Sequence, residues 1–284
     1  MREPPLSSSK AVRRERRPFG GLAIACLASA LPLVGGLAPG GQELVVRYPQ
    51  AGSGIFRYAF TRRDTVVAAM PNGEEQTNTI GRTTYLTLTW IASDSGTRIT
   101  AAVDSIIPEE GVSRFSPDLD SAFGARWTAW RQPNGLLTQL DRGQPSSVGD
   151  QVRDQLRLLF PILPLEGASP GRTWGDSTEG PALVSAFEAR ERVKLTSMAE
   201  PGPDGSVAID VVRERVAAGE GLQYLQPISV RATGTDSLTY AMTEDGVVHD
   251  VAGRRLTQLD LDLPAVGQRV SARVYSYLAM RLLP

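Results

Sequence analysis

His249 is the single histidine and Cys26 the single cysteine among 284 residues. These counts remove most metal sites, Cys–His pairs and disulfide frameworks at the outset. His249 stands beside Asp250, but adjacent residues on a strand point to opposite faces, which reads as a solvated strand histidine and not a general base. Asp260 and Asp262 share one strand parity and so offer two carboxylates, the groups that cleave glycosides. Leu259, Leu261 and Leu263 take the other parity, so the run reads as ordinary edge patterning. Glu109-Glu110-Gly111 and Asp118-Leu119-Asp120 carry calcium-type oxygens without the ligand periodicity of a dedicated loop. Gly52-Ser53-Gly54 lacks the helix and lysine of a phosphate loop. The expectation is a protein without catalytic residues, metal ligands or a cofactor site: not an enzyme.

The elements that must position any site are strands. Phe56, Tyr58 and Phe60 alternate with Ile55, Arg57 and Ala59, and Leu86, Leu88 and Trp90 share a parity against Tyr85, Thr87 and Thr89. Ile99, Ala101 and Val103 continue the pattern, as do Phe187, Ala189, Val193 and Leu195, where Glu191 interrupts the dry face. Val207, Ile209 and Val211 follow, and the chain closes on Val270 to Leu282 with the same period of two. Such runs describe antiparallel strands with one dry face. Asn72-Gly73, Asn134-Gly135, Asp204-Gly205 and Asp245-Gly246 sit between them as tight turns, with Asp94-Ser95-Gly96 as a fifth, so neighbours in sequence should pair as a meander.

One segment has a different period. Val152, Leu156, Leu159 and Phe160 form a helical stripe within Ser147–Phe160, with Ser147 and Asp150 at its start and Pro161 and Pro164 at its end. The fold expected is mainly β: long antiparallel strands in a strongly curved sheet or open half-barrel, with one helix at about 147–160 packed across it. A further helical turn near Asp118–Phe123 is weakly indicated. Trp127 and Trp130 have opposite parity, which sends one to the core and the other under the helix. Repeated Pro-Asn-Gly and Asp-Gly turns hint at an internal duplication hinged near 146–170.

Arg13, Arg14, Arg16 and Arg17 precede an uncharged, largely apolar run from Pro18 to Gln42 that passes small-residue cleavage options at Ala28-Ser29-Ala30 and Gly36-Leu37-Ala38. Residues 1–38 therefore read as an export signal, and 43–283 as one β-rich domain. A retained membrane anchor is the alternative, diluted by Gly20, Gly21, Pro32, Gly35 and Gly36. Leu22-Ala23-Ile24-Ala25-Cys26 resembles a bacterial lipoprotein box but has Ala23 where that pattern has Leu. Arg16-Arg17 resembles the start of a twin-arginine signal. Membrane contact is expected only if the signal is retained or Cys26 is lipidated. Cleavage would leave 24 basic against 29 acidic residues, no cysteine, and Lys194 as the only lysine. With a full-chain net charge of -1 no positive field gathers phosphates, which argues against nucleic acid. The arginines, scattered along strands, are expected to form no patch.

Leu156-Arg-Leu-Leu-Phe-Pro-Ile-Leu-Pro164, a short spacer and Pro170-Gly-Arg-Thr-Trp174 resemble the centre of a group of uncharacterised bacterial exported proteins and lipoproteins. More distantly, the arrangement resembles the open-barrel lipoprotein carriers of the LolA and LppX type. The resemblance implies a curved sheet that holds acyl chains, and it supplies no functional residue to carry over. The expected location is periplasmic or otherwise extracytoplasmic, within the cell envelope. The expected role is binding of a lipid or other hydrophobic small molecule in an apolar concavity lined by some of Phe56, Tyr58, Phe60, Leu86, Leu88, Trp90, Trp127 and Phe187. One alternative is a structural or assembly scaffold whose core is filled and whose partner is an envelope protein. The other is a hydrolase of unknown type.

Overall fold

The computed structural model describes residues 44–70, 73–93, 95–110, 122–141, 147–182, 187–223, 226–264 and 267–284. Every described residue belongs to one compact unit, Glu43–Pro284. The expected export segment and Cys26 lie outside the described residues, as do Asp118 and Asp120. No helix among the described residues is long and apolar enough to cross a membrane.

The period-two runs form eleven strands: β1 (Ser53–Ala69), β2 (Glu75–Ser93), β3 (Gly96–Pro108), β4 (Arg126–Arg131), β5 (Leu137–Thr138), β6 (Thr173–Pro181), β7 (Phe187–Pro201), β8 (Val207–Gln223), β9 (Gln226–Met242), β10 (Val248–Leu263) and β11 (Gln268–Leu282). Between β5 and β6 runs the helix α1 (Ser147–Leu159). The strands make one antiparallel sheet in the order β5-β4-β3-β2-β1-β11-β10-β9-β8-β7-β6. Two meanders meet at the β1–β11 pair, and the sheet stays open, with β5 and β6 as its free edges. The fold is thus mainly β with a single helix among the described residues. Gly135, Gly205 and Gly246 take positive φ of 93°, 76° and 78° at their turns, the conformation for which the sequence uses glycine there.

Cross-strand register sorts the inner face into rows. Phe60, Met280, Val251, Tyr240 and Ile209 lie side by side on β1, β11, β10, β9 and β8. Below them Leu278, Gly253, Leu238 and Val211 form a second apolar row. The helix seats on these rows through Val148, Val152, Leu156 and Leu159, all 0–2% exposed. Fully burying a side chain of this kind contributes about 1.5–3 kcal/mol. Phe160, just past the helix, packs edge-on to Tyr48 with ring centroids 6.0 Å apart. Tyr48 donates to the Pro161 carbonyl at 2.7 Å, tying the segment before β1 to the helix end. Trp127 is buried in the same core, whereas Trp130 is half-buried.

Candidate ligand concavity

The third inner row changes character. Asp64, Ser276, Arg255, Asp236, Arg213 and Leu195 stand in register across β1, β11, β10, β9, β8 and β7, all 8% exposed or less. Here the polar side of α1 meets the sheet. Arg255 donates to both oxygens of Asp236 at 2.8 and 3.1 Å and also to Asp154 of the helix. Asp154 is reached by Arg62 at 3.5 Å, and Arg62 Nε lies 2.8 and 2.9 Å from the two oxygens of Asp64. On the other flank Arg215 donates to Glu191 at 2.7 Å, and Arg157 of the helix approaches Glu191 at 3.7 Å. The result is one ionic belt from β1 to β7.

The belt sets its own electrostatics. Burial pushes the Asp154 carboxyl up, but Arg255, Arg215 and Arg62 together outweigh it and hold the group below the usual carboxylate range. Burial likewise works against the Arg255 charge, yet Asp154 and Asp236 raise its affinity for the proton. Arg82, near Arg62 and Asp64, is lowered to about 10, chiefly by burial. Burial pushes the Tyr240 phenol up, so it stays protonated; it donates to the Leu158 carbonyl at 2.8 Å and accepts from Arg213 at 3.1 Å.

Beyond the belt the inner face turns apolar again, but with small side chains. Ala68, Ala272, Leu259, Ala232 and Ala217 form one row, and Leu261, Val230, Gly219 and Ala189 the next. A Cβ at Gly219 would collide with Ala189, so glycine there lets β7 and β8 approach closely. The upper rows are filled by Phe, Tyr, Leu and Met beneath the helix; of these two lower rows, Gly219 and Ala189 line an open space. A concavity of about 1910 Å³ runs between the free edges, from Leu136–Leu140 around β5 to Thr178–Ala182 around the end of β6. Leu158, Phe160 and Ile162 line it on the helix side, and Val193, Leu195 and Ile228 on the sheet side. Arg153, Asp154, Arg157, Glu191, Arg213, Arg215, Asp236 and Arg255 line it at the belt. The volume exceeds the ~300–1,000 Å³ of an ordinary small-molecule pocket.

The lining residues expected from sequence lie elsewhere. Tyr58, Phe60, Leu86, Leu88 and Trp127 are 1–6% exposed in the filled core around the helix. Phe56 and Trp90 pack against that core and stack on each other, 6.5 Å apart and 9° from parallel. None of these seven lines the large concavity. Of Phe187 only its place at the start of β7 is described. The reason is volume: large side chains fill the space they face, and the concavity is lined instead by Ala189, Gly219 and Gly221 among charged side chains such as Glu188, Arg190 and Glu220. The expectation that the arginines form no patch is also corrected. Strand register brings Arg62, Arg213, Arg215 and Arg255 onto one inner face, where Arg62 and Arg255 pair with Asp154 of the helix and Arg215 with the strand acids Glu191 and Asp236. Glu191, which interrupts a dry strand face in the sequence, marks the same belt.

The chemical candidates sit outside the concavity. His249 is exposed, and its neighbour Asp250 is taken by Arg281 at 3.0 Å. Asp260 is held low by hydrogen bonds from Ser271 and Arg269, which suits an ionised surface acid and not a proton donor. Glu109 pairs with Arg63 at 3.3 Å. Among the described residues no three His, Cys, Asp or Glu side chains are grouped to hold a metal ion.

No family model matches the chain, and no curated protein does. A solved structure of a protein of unknown function from the DUF3598 family of Nostoc punctiforme aligns over 77% of this chain and 94% of that chain, at 9% identity and a TM-score of 0.13. A likeness that slight bears on neither fold nor function.

Proposed function

We propose that this is a non-enzymatic extracytoplasmic binding protein that holds an elongated hydrophobic ligand, of lipid type, in the open concavity between β5 and β6. The observation that carries the reading is the change in side-chain size along the inner face. The upper rows close on α1 with Phe, Tyr, Leu and Met, whereas past the belt Ala189, Val193, Gly219 and Ile228 line the open concavity beside the charged Glu188, Arg190 and Glu220. Export rests on the basic and apolar pattern of residues 1–38. With His249 exposed and its neighbouring carboxylate engaged, the reading needs no bond-breaking step.

The test is to fill the space. Val193 is half-buried and lines the concavity, so Val193→Trp projects a large ring into it. The wild-type chain should bind a fluorescent fatty acid saturably at micromolar concentration, and the variant should bind it at least roughly tenfold more weakly while keeping its urea midpoint. A scaffold is the second reading, favoured by the filled core around Tyr58, Leu86 and Trp127. It predicts no saturable binding by either chain.

A further inference from the structure

Among the belt arginines that line the concavity, one has no ion pair among the described residues. Arg62, Arg157, Arg215 and Arg255 each reach a carboxylate. Arg213, in the middle of the buried row at 7% exposure, forms no ion pair among the described residues. Its register partner on β9 is Asp236, but both Asp236 oxygens are taken by Arg255. The guanidinium donates from Nη2 to the Tyr240 hydroxyl, and its Nε has no acceptor. An arginine kept buried without a counter-charge is costly unless something supplies one. Nor does Arg213 cap the helix directly, because Tyr240 already donates to the Leu158 carbonyl. Arg213 does line the concavity, with Leu158 and Leu195 beside it there.

We infer that Arg213 is an anion subsite, and that the ligand of the concavity is an amphiphile bearing one oxyanion on an apolar chain, a carboxylate or a phosphate monoester. The head group pairs with the Arg213 guanidinium, and the chain runs past Val193, Ala189 and Gly219 toward Ile228. This rests on the carrier reading and adds the class of head group. A cleaved chain is acidic overall, with 24 basic against 29 acidic residues, so preference for an anion would come from this site and not from net charge.

Isothermal titration at neutral pH with dodecanoate, dodecyl phosphate and dodecan-1-ol separates the claims. The wild-type chain should bind both anions about tenfold or more tightly than the alcohol, the scale of a charge-assisted hydrogen bond. Arg213→Gln should bring the acids to the level of the alcohol, and Arg213→Lys should keep most of the preference. Equal binding of acid and alcohol by the wild-type chain overturns the anion subsite and leaves the carrier reading standing, even where Arg213→Gln does not fold. Full preference retained in Arg213→Gln overturns it as well. Binding of none of the three overturns the carrier reading together with the subsite.

Discussion

Replacing Arg255 by Leu strikes the belt at its best-connected point. Arg255 is 7% exposed and, among the described residues, donates to both Asp236, which is fully buried, and Asp154 of the helix. After the change Asp154 keeps Arg62 at 3.5 Å, but Asp236 is left with Arg215 at 4.0 Å, beyond hydrogen-bond reach. Removing one partner of a buried pair costs about 3–5 kcal/mol, because the other charge stays buried and underpaired. At about 2–4 °C per kcal/mol for a domain of this size, Tm should fall by roughly 6–20 °C. Asp236→Leu should cost a similar amount, since it leaves Arg255 with Asp154 alone. The double variant Arg255→Leu/Asp236→Leu should cost clearly less than the two single changes added, because Asp154 retains Arg62 and neither member of the Arg255–Asp236 pair is left without the other. Urea unfolding followed by tryptophan fluorescence, with the m-value checked for constancy, measures all three. A single-variant loss below about 1 kcal/mol, or strict additivity in the double variant, would mean that the belt behaves as a set of surface ion pairs and that its register across six strands is incidental.

Three further outcomes are expected. Leu156→Ala, at 2% exposure on the helix's sheet-facing stripe, should cost about 2–5 kcal/mol; an unchanged urea midpoint would mean that the helix is not seated where the structure has it. Gln155 is 1% exposed, and neither atom of its amide has a hydrogen-bond partner among the described residues; it faces Phe60, Leu238 and Val251, so Gln155→Leu should stabilise by about 1–3 kcal/mol in the same assay. Asp154 is held below its ordinary 3.8 in the folded chain, so its contribution is complete above that value and fades as pH falls through the lowered one. Wild-type stability should therefore drop more steeply below about pH 4 than that of Asp154→Asn, and parallel acid curves would refute the role given to this carboxylate.

Much of the fold is legible in local pattern. The stripe of Val152, Leu156, Leu159 and Phe160 predicts a helix over 147–160, and α1 spans Ser147–Leu159. Alternating residues and Asn-Gly or Asp-Gly turns predict an antiparallel meander, which is what the strand order has. The site is less legible, for two physical reasons. A cavity is made by what is missing, and Ala189, Gly219 and Gly221 carry no signal that they face space and not a neighbour. The belt is a property of register, since Asp64, Arg255, Asp236 and Arg213 lie on separate strands and share a row only when five strands, β1, β11, β10, β9 and β8, align. Two hints were present: Glu191 on an otherwise apolar face, and Arg213 and Arg215 at the parity of Ile209 and Val211. An inward charge on a strand that is otherwise dry marks a place where the core changes to a site.

Native mass spectrometry of the protein purified without added lipid tests the central claim most directly. The account predicts a population carrying an additional mass of an acyl-chain amphiphile, lost on delipidation, regained on incubation with dodecanoate, and reduced in Val193→Trp. A single apo mass throughout, unchanged by dodecanoate, dodecyl phosphate or dodecan-1-ol, would contradict it.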